Sequence, residues 1–165
     1  MIAILILCLI SVSTASNVTD QILRIHNLLR ANYQAAPLKW SDSLAVNASK
    51  WANRCVFEHS PYQWGENIAM SYDPSANMTY LWYQNEECAY YNDVPGATTG
   101  HFTQMVWPST KYIGCAFSNC THGIKEPLSK KMWLGATMFV CEYANGGNDG
   151  GKINKPLVPP RCPKA

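Results

Sequence analysis

Seven cysteines stand in this chain of 165 residues, and one of them, Cys8, lies inside an apolar run at the amino terminus. The other six, Cys55, Cys88, Cys115, Cys120, Cys141 and Cys162, form an even set with no C-x-x-C pair. That spacing argues against a zinc ribbon or a redox motif and reads as three disulfides formed in an oxidising compartment. Three cross-links restrict the unfolded ensemble and fix which segments must lie side by side. They also leave no thiol free to act as a nucleophile.

The segment around Cys8 is of a different kind. Residues 1–15, MIAILILCLISVSTA, carry no charged side chain. They form an apolar stretch of about a dozen residues, the length of a secretory h-region and too short to span a bilayer. The small residues Ser13 and Ala15 fit a cleavage site. Cleavage after Ala15 removes 15 of the 165 residues and leaves 150, room for one compact domain with a real core. Hydrophobic content of 47% argues against disorder. Thirteen basic residues against eleven acidic ones give a net charge of only +2, and they are scattered, so no nucleic-acid-binding face is expected. Four Asn-x-Ser/Thr sequons, at Asn17, Asn47, Asn77 and Asn119, fit a secreted glycoprotein.

Residues 16–148 read as one domain and 149–165 as a Gly/Pro-rich tail that follows the surface until Cys162 pins it. Helical spacing is expected from Thr19, as cap, to Tyr33, through Ile22, Ile25 or His26, and Leu29. A second helix is expected behind a Ser41 cap, with Leu44, Ala48, Trp51, Ala52 and Cys55 on one face. A third spans Asn77 to Tyr91, with Leu81, Asn85 and Cys88 on one side. Past Gly100 the pattern alternates: HFTQMVW reads as a strand opened by His101, followed by strands at Tyr112 to Phe117 and Met132 to Tyr143 with a polar connection between them. Helices first and strands last describe an α/β sandwich closed largely by antiparallel pairing.

Four histidines limit the acid/base and metal chemistry available. His26 reads as a helix anchor held by hydrogen bonds and His122 as a solvated loop residue. His59 ends the second helix region in CVFEHS, seven residues before Glu66, and His101 follows Gly100. Together with Glu66 and one of Glu86 and Glu87 they supply two imidazoles and two carboxylates. Such a set can bind Zn²⁺, with three protein ligands plus water as a catalytic geometry. Equally, the carboxylates can hold the imidazoles and raise their pKa, making a pH-sensitive cleft without hydrolytic chemistry. Spacing does not choose between them, and no H-E-x-x-H or G-x-S-x-G motif is present. Tyr62, Trp64, Tyr90 and Tyr91 fall in or near loops, where amphipathic rings can line a lipid groove.

The motifs GHFTQMVWPSTKYIGCA (100–116), FVCEYANGGN (139–148), HNLLRA (26–31), PLKWSDSLA (37–45), WANRCVFEHS (51–60) and GENIA (65–69) resemble, in order, those of the CAP superfamily of cysteine-rich secretory, antigen 5 and pathogenesis-related proteins. The short single-domain members are the most similar. The resemblance implies a three-layer α-β-α sandwich with a mainly antiparallel sheet and a cleft tetrad of His59, Glu66, Glu86 and His101. The third motif departs from the family pattern. Counted from Trp82 its Glu position is Asn85; counted from the downstream Tyr-to-Pro-Gly spacing, Tyr83 stands for the Trp and Glu86 falls in register, with Glu87 facing elsewhere. The resemblance also implies the disulfides Cys55–Cys120, Cys115–Cys141 and Cys88–Cys162.

The function implied is that of a secreted, monomeric, non-enzymatic binding protein for sterols or fatty acids. No cofactor is required; His59 and His101 can hold zinc or magnesium. The alternatives are a metal-dependent hydrolase using the same tetrad, and a signalling or immune-modulating ligand with an unidentified extracellular protein partner.

Overall fold

The computed structural model describes residues 18–73, 77–94 and 96–163; the expected leader and Asn17 lie outside them. The elements run α1 Val18–Asn32, β1 Lys39–Trp40, α2 Asp42–Ala52, β2 Gly65–Ser71, α3 Met78–Tyr91, α4 Gly100–Met105, β3 Tyr112–Asn119, β4 Ile124–Glu126, β5 Lys131–Trp133 and β6 Thr137–Ala144. A four-stranded sheet has the order β1-β3-β6-β2 and is antiparallel except where β1 joins β3. β4 and β5 form a separate antiparallel hairpin.

Alternation along β6 sorts the core into two layers. Met138 and Val140 point to the side covered by α2, where they meet Ala48, Trp51, Ala52 and Ile68. Phe139, Cys141 and Tyr143 point to the other side, against Ile22 of α1, Met78 and Trp82 of α3, and Phe102 and Met105 of α4. Both faces are therefore buried and the fold is a three-layer α-β-α sandwich. Gly114 is what lets α2 lie so close to β3: a Cβ there would come within 2.2 Å of the Ala45 amide nitrogen.

Three helices owe their placement to polar as well as apolar groups. Ser41 caps α2 by accepting the Leu44 N–H, and Asn77 caps α3 by accepting the Tyr80 N–H. In α1, Ile22, His26 and Arg30 recur four residues apart on the buried face. The Arg30 guanidinium, fully buried, donates to the carbonyls of Ala36, Met105, Trp107 and Thr110. It thus ties α1 to the end of α4 and the loop that follows. His26 Nδ1–H donates to Ile22 O and its Nε2 accepts the Tyr143 hydroxyl, both at 2.9 Å, and so the ring anchors α1 to β6.

The structure corrects several expected elements. Thr19 lies inside α1 rather than capping it. The buried side of α3 carries Met78, Thr79, Trp82, Glu86 and Glu87, whereas Leu81 and Asn85 are exposed. Residues 100–105 are helix α4, not a strand. Their apparent alternation misled because polar and apolar residues alike are buried there: Thr103 Oγ1 donates to Thr99 O and Asn148 Oδ1, and Gln104 Nε2 donates to Thr110 Oγ1. With each polar group partnered inside, polarity no longer reports exposure. The stretch from Met132 to Tyr143 is two strands, broken at Gly135, whose φ of 73° turns the chain. The polar connection after Asn119 contains β4, and the GENIAMS segment forms β2, the edge strand beside the tetrad.

Three disulfides are formed. α2 ends at Ala52, so Cys55, expected on its face, lies in the turn beyond it; Cys55–Cys120 joins that turn to the residue after β3, Cys115–Cys141 links directly opposed residues of β3 and β6, and Cys88–Cys162 ties the tail to α3. Asn32 reinforces that tether, donating from Nδ2 to Val158 O and accepting the Val158 N–H at Oδ1.

Candidate functional site

Consecutive residues of β2 reach opposite layers, and this brings the four tetrad residues together at the sheet edge. Glu66 lies on the α2 side and Asn67 on the other. On the α2 side, the loop after α2 carries His59, whose Nδ1–H donates to Glu66 Oε1 at 2.7 Å. The Ser60 amide donates to the same oxygen at 3.0 Å. On the opposite side, His101 Nδ1–H donates to Glu86 Oε1 at 2.5 Å, and the Phe102 amide donates to Glu86 Oε2 at 3.0 Å. Asn67 Nδ2 donates both to His101 O and to Tyr143 Oη, joining this pair to the His26 anchor.

The surroundings of the two imidazoles differ. His101 lies flat on Trp82, centroids 5.5 Å apart and planes 11° from parallel, and Trp82 in turn stacks on Phe139. Its side chain is 23% exposed against 65% for His59. The Glu66 hydrogen bond lifts the His59 imidazole above the usual histidine value. For Glu66 itself burial opposes ionisation, but the His59 and Ser60 hydrogen bonds outweigh it and hold the carboxyl below its ordinary range. Glu87, the neighbour of Glu86, is also buried: it points to α1 and accepts the Tyr33 hydroxyl at 2.5 Å.

Between the two imidazoles opens a cleft of about 440 Å³, lined by Phe57, Glu58, His59, Ile68, His101, Glu126, Pro127 and Leu128. Its walls are largely apolar, and Leu128 at the turn of the β4–β5 hairpin is 98% exposed at the mouth. With each Nδ1 engaged by a carboxylate, Nε2 of each ring is the atom left for a ligand. An imidazole whose other nitrogen is held by a carboxylate is the usual arrangement of a metal-binding histidine. His59 and His101 are the side chains here that could hold a divalent ion, and among the described residues no three His, Cys, Asp or Glu side chains form a metal-holding group.

Of the four aromatics expected in or near loops, Tyr90 and Tyr91 are the last two residues of α3, and none of the four lines this cleft. Tyr62 packs between Trp51 and Trp64, at 6.4 and 5.2 Å. Tyr90 packs on Phe102 and borders a groove with Trp107 and residues 150–153, while Tyr91 faces the Pro-rich tail. Of the sequons described, Asn77 and Asn119 are exposed and Asn47 is half-buried within α2.

Reasoning from sequence missed Trp82 as the platform for His101, Asn67 as its backbone clamp, and Glu142. The last had a signal: a carboxyl at an inward position of β6, in the same alternation as Met138 and Val140.

Comparison with known proteins agrees with this architecture. The model of the cysteine-rich secretory protein family, CAP, matches residues 23–143. The chain is similar to fruiting body protein SC7 of Schizophyllum commune, 36% identical over 78% of this chain and 65% of that one. It is similar also to cysteine-rich secretory protein 2 of Cavia porcellus, 32% identical over 88% of this chain. It spans under two thirds of each of these relatives, 65% and 63%. Among solved structures it resembles that of NaASP2 with Zn²⁺, with a TM-score of 0.59 at 24% identity, covering 84% of this chain and 85% of that one. A match over most of the chain, in the order of its motifs, decides the assignment: this chain belongs to the CAP, or cysteine-rich secretory protein, family.

Proposed function

We propose that the domain is a secreted, non-enzymatic extracellular binding protein. Its cleft takes a small lipid, a sterol or fatty acid, against Phe57, Ile68, Pro127 and Leu128, and a divalent ion on Nε2 of His59 and His101. The observation that carries this reading is the cleft itself: apolar walls of ligand-binding size between two imidazoles whose orientation is set from behind by carboxylates. When bound, zinc or magnesium would supply a positive charge for an oxygen of the ligand. The three disulfides and the family membership support an extracellular setting. The Zn²⁺ in the NaASP2 structure supports the choice of ion.

A hydrolase is less well supported. It asks for a third metal ligand or an activated nucleophile, and His59 Nδ1 is turned to Glu66 rather than to Ser60. The test is direct binding of a fluorescent sterol and a fatty acid to the glycosylated, oxidised protein, with and without zinc. Saturable binding that Leu128→Asp weakens at least tenfold is expected. Folded protein that binds neither lipid nor zinc would overturn the proposal.

A further inference from the structure

Glu142 stands directly opposite Glu66 in the β2–β6 register, on the same face of the sheet. It is fully buried, and the Glu66 side chain is only 4% exposed. Three carboxyl oxygens in this space, Glu66 Oε2 and both of Glu142, have no hydrogen-bond partner in the structure. Among the described residues, nothing of opposite charge faces Glu142. α2 presents Leu44, Ala48 and Trp51, β3 presents Gly114 and Ala116, and the 60–64 loop brings the neutral side chains of Ser60 and Trp64. Glu66 is the titratable group across the strand pair, and His59 stands behind it.

Two carboxylates side by side in a strand interior cannot both stay ionised, because each loses its hydration and repels the other. One proton between them solves both problems. Glu66 has two close donors, the His59 imidazole and the Ser60 amide, and keeps its charge; Glu142 meets only the Trp64 and Ser60 side chains, whose pull toward ionisation is outweighed by burial and by Glu66, and takes the proton. We infer that Glu142 is a positioning residue of the cleft: as a neutral acid it donates a hydrogen bond to Glu66 Oε2, leaving Oε1 for His59 and Ser60. Pinned at both oxygens, the Glu66 carboxylate cannot rotate, and an imidazole on an exposed loop acquires a fixed direction. Burial first, and then the Glu66 charge, push Glu142 in the required direction, up to about 8. Loss of that proton at alkaline pH sets two anions against each other and releases His59.

The inference rests on His59 being part of the cleft but on no ligand, so a negative lipid or zinc assay leaves it standing. It is tested by NMR on the oxidised domain, following glutamate side-chain carboxyl carbons and the His59 ring from about pH 4 to about pH 10. One carboxyl with a midpoint more than two pH units above the ordinary range, absent from Glu142→Gln, is expected. The His59 ring should report the same alkaline step in wild type. In Glu142→Gln, whose amide donates permanently to Oε2, the step vanishes while the His59–Glu66 contact persists. Excess EDTA should leave the midpoint in place; a shift would mean that a cation, not a proton, bridges the pair and would overturn the inference. So would every glutamate titrating in the ordinary carboxylate range, a reading that needs only wild-type protein if the variant fails to fold.

Discussion

The His101 and His59 arms use the same pairing, Nδ1–H to a glutamate oxygen, yet they are completed in different ways. Behind His101, Glu86 has both oxygens satisfied, by the imidazole and the Phe102 amide, and Trp82 lies flat under the ring. Behind His59, Glu66 has one oxygen satisfied and the other aimed at a second buried carboxyl, and among the described residues no aromatic ring stacks on the imidazole. One arm is fixed by packing and the other by electrostatics. A ligand that bridges them would meet a rigid wall on one side and a pH-sensitive one on the other.

Changes to the packed arm should have the largest effects. Trp82→Ala removes the ring between His101 and Phe139, and should cost about 3–5 kcal/mol in unfolding free energy by urea titration. A value near zero would show that the stack supports nothing. His101→Ala leaves the buried Glu86 Oε1 without its donor, and should cost about 1–3 kcal/mol. His59→Ala, at an exposed ring, should fall within about 1 kcal/mol of wild type. Equal costs for the two histidine variants would break the contrast.

The pH dependence sharpens it. His59 has a raised folded-state pKa, so its contribution is complete below the unfolded value of 6.5 and fades as pH climbs through the folded value. His26, lowered to about 4 chiefly by burial, acts oppositely: its neutral form is buried, and stability is lost as pH falls from 6.5 toward 4. Glu142, raised to about 8, releases its proton in the unfolded chain first, so stability falls from 4.5 up to 8. Thermal midpoints should therefore decline on both sides of mildly acidic pH. Glu142→Gln should remove the Glu142 share of the decline between 4.5 and 8 and so expose the full His26 loss below 6.5, and an unchanged alkaline slope would contradict the assignment. The smallest effect expected is on the His59 ring itself: Glu66→Gln should return its titration toward 6.5, read by NMR.

Much of this was legible in the sequence. Cysteine parity and the motif order led to the fold family, and the motif segments carried His59, Glu66 and His101. Of the two positions the third motif offered, Asn85 is exposed and Glu86 meets His101. What could not be read was the context of polar residues. The 100–105 segment looked like a strand because Thr103 and Gln104 are polar, and only tertiary partners reveal that they are buried donors. Arg30 is hidden for the same reason, since a charged residue announces exposure unless the carbonyls that receive it are known, whereas Glu142 carried only its place in the β6 alternation. The face of α3 was misjudged because its buried side is built from Trp82, Glu86 and Glu87, a mixture without a hydrophobic period.

Whether two differently built arms present one binding cleft is decided by titrating zinc into the oxidised protein while following the imidazole nitrogens of His26, His59 and His101 by NMR. Nε2 of His59 and of His101 should shift together and saturate at about one ion per chain, with Nδ1 of each still bonded to its carboxylate and His26 unchanged. A response confined to His59, the exposed ring, would mean that the arms do not act as one site.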